Sequence, residues 1–330
     1  MSDVAVSLGD VEQAAARLDG VAVRTPLLTC DDLNRRLQAR VFIKPESLQH
    51  IGAFKFRGAY NRLVQLSDAQ RQPGVVAFSS GNHAQGIAYA AQLLGMPATI
   101  VMPSDAPQIK LDNTRRLGAT VRLYERRSES REQIAADIAR DTGATLVPAF
   151  DDADIIAGQG TCGLEIMDQL AQRDLRPDWV ISPVGGGGLL SGVTVAVKSR
   201  EPDAKVAGVE PENFDDHARS RAAGERVAVS GTATTLCDSL MAPTPGELTW
   251  SITGRQVDDF IVVSEDDVAH AISYAFKHMK LVVEPGGVVA LAALLQGKLD
   301  VAGATVAVIL SGGNIDATTF CRCLEQYPNP

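Results

Sequence analysis

Four consecutive glycines, Gly185-Gly186-Gly187-Gly188, follow the apolar run WVISPV and precede a helical stretch beginning near Leu189. Without side chains, successive backbone N–H groups stay uncovered at a helix start, where free donors and aligned peptide dipoles stabilise a phosphate dianion. A tight turn needs one or two glycines rather than four, so phosphate binding is the expectation. The loop fits neither G-x-G-x-x-G nor a P-loop ending in G-K-[ST], which argues against a dinucleotide or a nucleoside triphosphate.

Lys55 stands between Phe54 and Phe56 in GAFKFRGA, at the start of an amphipathic stretch. A lysine there is ordinarily a solvated helix residue. Desolvation by aromatic neighbours instead lowers the pKa of an amine and makes it a Schiff-base nucleophile. Ser79-Ser80-Gly81-Asn82-His83 joins a strand to a helix and gathers hydroxyls, an amide and N–H groups able to hold a carboxylate. Ser80 or Asn82 could equally be a plain N-cap. Ser311-Gly312-Gly313-Asn314 lies at the carboxyl end of the strand TVAVIL, where open α/β sheets place ligands. After the strand KVAGVE, carboxylates at Glu210 and Asp216 with a loop carbonyl suit a hard cation such as Mg²⁺ or Ca²⁺, although a solvated acidic loop has the same bare pattern.

The elements that must position these groups alternate. VVAFSS, ATIVMP, TVRLYE and ATLVPA read as strands, separated by helices over NHAQGIAYAAQLLG, about Pro107 to Leu117, and Ser130 to Asp141. A second series runs through DWVISPV, helix LLSGVTVAVKSRE, strand KVAGVE, strand DDFIVVSE, a long helix from Asp266, and strand TVAVIL. This is an α/β chain with two mostly parallel, twisted sheets flanked by helices. No Pro/Ser-rich linker separates the halves, so two lobes sharing one cleft are expected. The segment Arg219 to Leu248, with its T-A-T-T and A-P-T-P-G runs, shows no clear period.

The 330 residues carry a formal charge of −9 and are 45% hydrophobic and 22% charged. That balance excludes disorder and gives no general attraction to nucleic acid or anionic lipid. No run approaches the roughly 20 apolar residues of a membrane span, and the acidic start is unlike a signal peptide. A cytoplasmic protein is expected. The five cysteines form no C-x-x-C pair or zinc spacing and read as structural thiols.

The ordered set AFKFRGA, SSGNHAQG, IIAGQGT at Ile155, VGGGGLLSG, VVEPGG at Val282 and SGGN resembles the fold-type II pyridoxal-phosphate enzymes. Within them it is most similar to the threonine and serine dehydratases, threo-3-hydroxyaspartate dehydratases and serine racemases. The resemblance covers nearly the whole chain. It implies a tryptophan synthase β-like fold, with residues 1–69 and 150–330 forming a large cofactor-binding domain and 70–149 a small mobile one. It also implies pyridoxal 5'-phosphate joined to Lys55 as a Schiff base. Phe54 would pack on the cofactor and Asn82 would bond its ring hydroxyl. Gly185, Gly186, Gly187, Gly188 and the Leu189 backbone would surround its phosphate, and Ser311 would face the pyridine nitrogen. A neutral hydroxyl there leaves the nitrogen unprotonated, which favours prompt β-elimination over transamination.

The implied reaction removes the Cα proton through Lys55 and expels the β-hydroxyl of a small 3-hydroxy-L-amino acid. The cofactor phosphate is the nearest acid for the leaving hydroxide, and the product hydrolyses to a 2-oxo acid and ammonia. Serine, threonine and threo-3-hydroxyaspartate are the expected substrates, with the carboxylate at Ser79, Ser80, Gly81, Asn82 and His83. In serine racemases the residue matching Ser80 faces Cα opposite the lysine, so racemisation of serine or aspartate is the alternative activity. A hydroxyl is a poor base unless its pKa is lowered. The resemblance adds the Phe214 carbonyl to Glu210 and Asp216 as ligands of a divalent cation (Mg²⁺, Mn²⁺ or Ca²⁺). It matches Arg131 to an arginine that reaches a substrate carboxylate, whereas a surface charge paired with a nearby Glu is the competing reading. His50 and His83 read as structural. No appended regulatory domain is expected after Phe320, and the expected partners are a small amino acid and a second copy of the chain.

Overall fold

The computed structural model describes residues 5–106, 108–230 and 233–330. Pro107, at the expected start of the polar helix, and Thr232, in the T-A-T-T run, lie outside the described residues. Among the described residues the strands are β1 (Leu28–Thr29), β2 (Arg40–Pro45), β3 (Val75–Phe78), β4 (Ala98–Pro103), β5 (Thr120–Tyr124), β6 (Thr145–Leu146), β7 (Trp179–Pro183), β8 (Lys205–Pro211), β9 (Asp259–Val263) and β10 (Thr305–Leu310). They form a six-stranded sheet in the order β1-β2-β10-β7-β8-β9 and a four-stranded sheet in the order β5-β4-β3-β6. Among the described strand pairs only the edge pair β1–β2 is antiparallel.

Parallel pairing explains the apolar character of the strands. Crossover helices cover both faces, so β10 is buried at every residue and needs no polar alternation. The helix Pro285–Leu295 is apolar all round and wholly buried beside it. Parallel neighbours also end at the same edge. The registers Val306↔Trp179 and Val308↔Ile181 therefore bring the loop after β7 and the loop after β10 out together.

The helix Lys55–Val64 lies between the two sheets. Gly58 approaches the Ile155 carbonyl and Gln159 of the helix Ala153–Ala171, and on the other side the carbonyl of Lys55 meets Gly86. Phe56, Ala59 and Leu63 share a core with Val75, Ala77 and Ile100 of the smaller sheet and with Ile87 of the helix Asn82–Leu93.

Some expectations change in the fold. ATLVPA pairs with β3 only through Thr145, Leu146 and the Val147 N–H, because Pro148 has no donor to extend the ladder. The long helix expected from Asp266 is the helix Glu265–Tyr274 followed by a π turn, Ala275–Met279, which Lys280 closes at φ +60°. The segment without a clear period holds the end of the helix Asp216–Ala223, which Gly224 stops in the left-handed region, and a short turn Asp238–Leu240. Cys30, Cys162, Cys237 and Cys323 are buried, but Cys321 is exposed on the helix Ala317–Gln326 and packs no core. No described helix is long and apolar enough to cross a membrane.

Candidate active site

Lys55 begins its helix, and two backbone contacts hold that start against the end of β10. Ala53 bridges Gly312, and the Phe54 N–H donates to the Ser311 carbonyl at 3.1 Å. The Lys55 Nζ donates to the Ala149 carbonyl at 2.7 Å and lies 5.2 Å from the centre of the Phe54 ring. Burial lowers its pKa to about 8. Of the two flanking aromatics, Phe54 lies beside the amine, while Phe56 packs into the core shared with the smaller sheet.

The glycine loop reaches the same edge. Gly187 is the N-cap of the helix Gly188–Arg200 at φ +98°, and no side chain caps that end. A Cβ on Gly186 would lie 2.4 Å from the Phe150 ring, and one on Gly187 would lie 2.8 Å from Thr249. The Gly185 carbonyl bonds His217 Nε2 at 3.0 Å, and the Gly186 carbonyl accepts from Thr249 Oγ1 at 2.7 Å. Phe150, His217 and Thr249 thus shape the loop from behind, which leaves the first-turn donors to an anion.

The turn after β3 closes the opposite side. The helix Asn82–Leu93 has Gly81 as N-cap with no side-chain hydrogen bond, so neither Ser80 nor Asn82 caps it. The Gly81 N–H donates to Ser79 Oγ at 3.2 Å, and the first-turn donors beyond it are left uncapped by side chains. Asn82 is buried, donating through Nδ2 to Glu284 Oε1 at 2.6 Å and accepting from Asn314 Nδ2 at 2.8 Å. His83 bonds the Val147 carbonyl at 3.2 Å, and burial followed by the nearby Lys55 charge lowers its pKa to about 3. His50 bonds the Val21 carbonyl and packs against Phe56 and Tyr89. Both histidines are packed side chains that bond backbone carbonyls, and burial keeps His83 neutral.

Ser311 is buried, and its N–H donates to the Gly287 carbonyl at 3.1 Å. Glu284 was not singled out by sequence reasoning, although VVEPGG marked its neighbourhood. Burial, with the Asp238 charge second, raises its pKa to about 8. Arg131 opens the helix Arg131–Thr142 with its guanidinium 5.3 Å from the Phe78 ring, one residue before the Ser79 turn. Its Nε also pairs with Glu132 at 2.8 Å, so the position beside the site and the pairing with a local Glu coexist.

At the end of β8, Glu210 is buried and accepts the backbone N–H groups of His217 and Ala218 at 2.8 and 2.9 Å. Asp216 is also buried, and neither of its carboxylate oxygens has a hydrogen-bond partner. Burial, then Asp216, raises the Glu210 pKa well above the ordinary range, and burial raises that of Asp216 to about 7. An unpartnered buried carboxylate fits a cation. Among the described residues no three His, Cys, Asp or Glu side chains converge as metal ligands, so any shell here is completed by carbonyls and water.

Residues 18–312 match the family model described as "Pyridoxal-phosphate dependent enzyme". The L-threo-3-hydroxyaspartate ammonia-lyase of a Pseudomonas species is 44% identical, covering 97% of this chain and 98% of that protein. The L-threonine ammonia-lyase of Thermotoga maritima is 43% identical, covering 97% and 79%. The structure of maize serine racemase superposes with a TM-score of 0.91 at 35% identity and covers 98% of both chains.

Proposed function

The chain belongs to the pyridoxal-phosphate dependent enzymes, and from that premise we infer that it is an ammonia-lyase acting on small 3-hydroxy-L-amino acids by β-elimination. The products are a 2-oxo acid and ammonia. The observation that carries the reading is the meeting, at one sheet edge, of a desolvated lysine, an uncapped four-glycine helix start and Ser311. When bound, pyridoxal phosphate supplies an electron sink for the pair left at Cα.

The chain's own groups do the rest. Gly185, Gly186, Gly187, Gly188 and Leu189 hold the phosphate through backbone N–H groups, and Phe54 packs on the ring. Asn82 bonds the ring hydroxyl, and Ser311 offers the ring nitrogen a hydroxyl rather than a carboxylate. The turn Ser79, Ser80, Gly81, Asn82, His83 binds the substrate carboxylate. Lys55, with a pKa near the working pH, takes the proton from Cα. Residues 70–149 form a small lobe that closes on this cleft.

Threo-3-hydroxyaspartate is the favoured substrate, because Arg131 lies on Phe78 beside the carboxylate turn and its fork suits a second carboxylate. A substrate panel tests this. For Arg131→Ala, kcat/KM for threo-3-hydroxyaspartate falls about 10- to 100-fold, the scale of a charged hydrogen bond, while threonine and serine lose little. Equal losses on all three substrates would leave Arg131 a surface charge, and no turnover of any would end the lyase reading. A second reading rests on Ser80, which caps no helix and stands free to act as the opposing base of a racemase. D-serine exceeding pyruvate from L-serine would favour it.

Glu210, Asp216 and the Phe214 carbonyl hold a divalent cation, Mg²⁺, Mn²⁺ or Ca²⁺. Asp216, with both oxygens unpartnered, supports the assignment. Chelation then lowers the thermal midpoint, Mg²⁺ restores it, and Asp216→Asn abolishes the response. A midpoint indifferent to chelator and to added metal removes the ion from this loop. The working form is a cytoplasmic homodimer. Four buried free thiols suit a reducing compartment, and the exposed Phe276, edge-on to Phe320, gives an apolar surface for a second copy.

A further inference from the structure

We infer that Glu284 is a positioning residue that acts through Asn82, making the working orientation of that amide depend on contact between the two lobes. The inference rests on the assignment of Asn82 to the cofactor made above. A chain of hydrogen bonds runs from Ile51 through Asn314 and Asn82 to Glu284, and a backbone carbonyl sets its polarity. Asn314 Nδ2 donates to the Ile51 carbonyl and to Asn82 Oδ1, both at 2.8 Å. Asn82 Oδ1 is thereby turned to Asn314, which leaves Nδ2 to donate to Glu284 Oε1 at 2.6 Å. Flipping the Asn82 amide would set donor against donor at Asn314. Its second Nδ2 hydrogen remains for a ligand.

Two backbone features show how closely this chain is built. Ile51 is β-branched yet sits at φ +59°, a strained conformation that persists only where its surroundings enforce it. Its carbonyl is the one that Asn314 engages. Glu284 precedes Pro285 at the start of a buried helix, and its N–H donates to the Gly312 carbonyl at 3.0 Å. A Cβ on Gly312 would lie 2.0 Å from Glu284 Oε1, so glycine admits the carboxyl there. The charges that act on Glu284 are Asp238 and Lys110, which are themselves ion-paired across the cleft. Asn82 lies in the 70–149 segment, whereas Ile51, Glu284 and Asn314 lie outside it. Both bonds that orient Asn82 therefore cross the cleft, and separating the lobes frees the amide.

The test compares the holoprotein with Glu284→Met, Glu284→Gln, Asn82→Ala and Asn82→Ala/Glu284→Met, reading kcat/KM and the visible spectrum of the bound cofactor. Methionine keeps the volume and removes the acceptor. We expect Glu284→Met to lose about 10- to 100-fold in kcat/KM and to shift the visible band as Asn82→Ala does. Glu284→Gln, whose carbonyl still accepts, recovers most of the loss, and the double variant is no worse than Asn82→Ala alone. Additive losses, an unmoved band or a glutamine no better than methionine would overturn the inference. Should the methionine variant fail to fold, Glu284→Asp, which withdraws the carboxyl by one methylene, takes its place under the same criteria. A wild type that shows the lysine-bound cofactor spectrum but turns over no 3-hydroxy-amino acid refutes the lyase reading alone, because the spectral comparison still judges Glu284.

Discussion

Lys55→Ala abolishes turnover of every 3-hydroxy-amino acid and removes the visible absorption of lysine-bound pyridoxal phosphate. The expectation follows from placement rather than residue type. Nζ is desolvated, and the Phe54 ring with one neutral carbonyl stabilises the ammonium too weakly to offset burial. The neutral amine is the form that attacks an aldehyde and accepts a proton. A pKa of about 8 in place of the ordinary 10.5 raises that form at neutrality from well under a thousandth to about a tenth of the amine. The rate at which wild-type apoprotein captures the cofactor should accordingly rise with pH and level off above about 8. Absorption spectroscopy checks both points, with the thermal midpoint confirming that the alanine variant is folded. A variant that keeps the visible band would remove Lys55 from its role, and a capture rate still climbing at pH 10 would contradict the lowered pKa.

Arg57→Ala is expected to cost about 3–5 kcal/mol of folding stability, because it strands a buried carboxylate. The Arg57 guanidinium forks onto Glu46 at 2.7 and 2.8 Å and onto Glu165 at 2.7 and 3.0 Å, while Lys44 meets Glu165 at 2.6 Å. The side chains of Arg57 and Glu46 are essentially inaccessible to water. Burial alone would raise the Glu46 pKa, but the guanidinium overcomes it and holds the carboxyl below its ordinary 4.5. The pH dependence follows in sign. In the wild type this contribution is complete above pH 4.5 and is lost as pH falls through the lowered value. In Arg57→Ala only Lys44 and the Thr25 hydroxyl still oppose burial and the Glu46 pKa rises, so its penalty appears as pH increases and fades in acid. Denaturant titrations at neutral and acidic pH should show the gap between variant and wild type narrowing in acid. A constant gap, or one below about 1 kcal/mol, would mean that the network does not anchor this helix. Because Arg57 is two residues from Lys55, the variant should also weaken cofactor retention.

The parts of this protein that were legible in the sequence are those encoded within ten or so residues. A strand buried on both faces needs a continuous β-branched run, so TVAVIL and WVISP announce themselves. Four glycines leave a helix end without side-chain caps, and a lysine between two phenylalanines marks a candidate amine whose desolvation waits on the fold. The tertiary structure alone decided how these local choices are used. Ser80 and Asn82 were credible N-caps until the chain placed neither side chain on the helix end. Arg131 became a neighbour of the turn that begins at Ser79 only when its helix packed over Phe78. Glu284 meets Asn82 across 202 residues, and no local pattern records that pairing. The reason is physical: periodicity and missing side chains act through neighbours along the chain, whereas desolvation, ion pairing and amide orientation depend on which remote segments the crossovers bring to one edge.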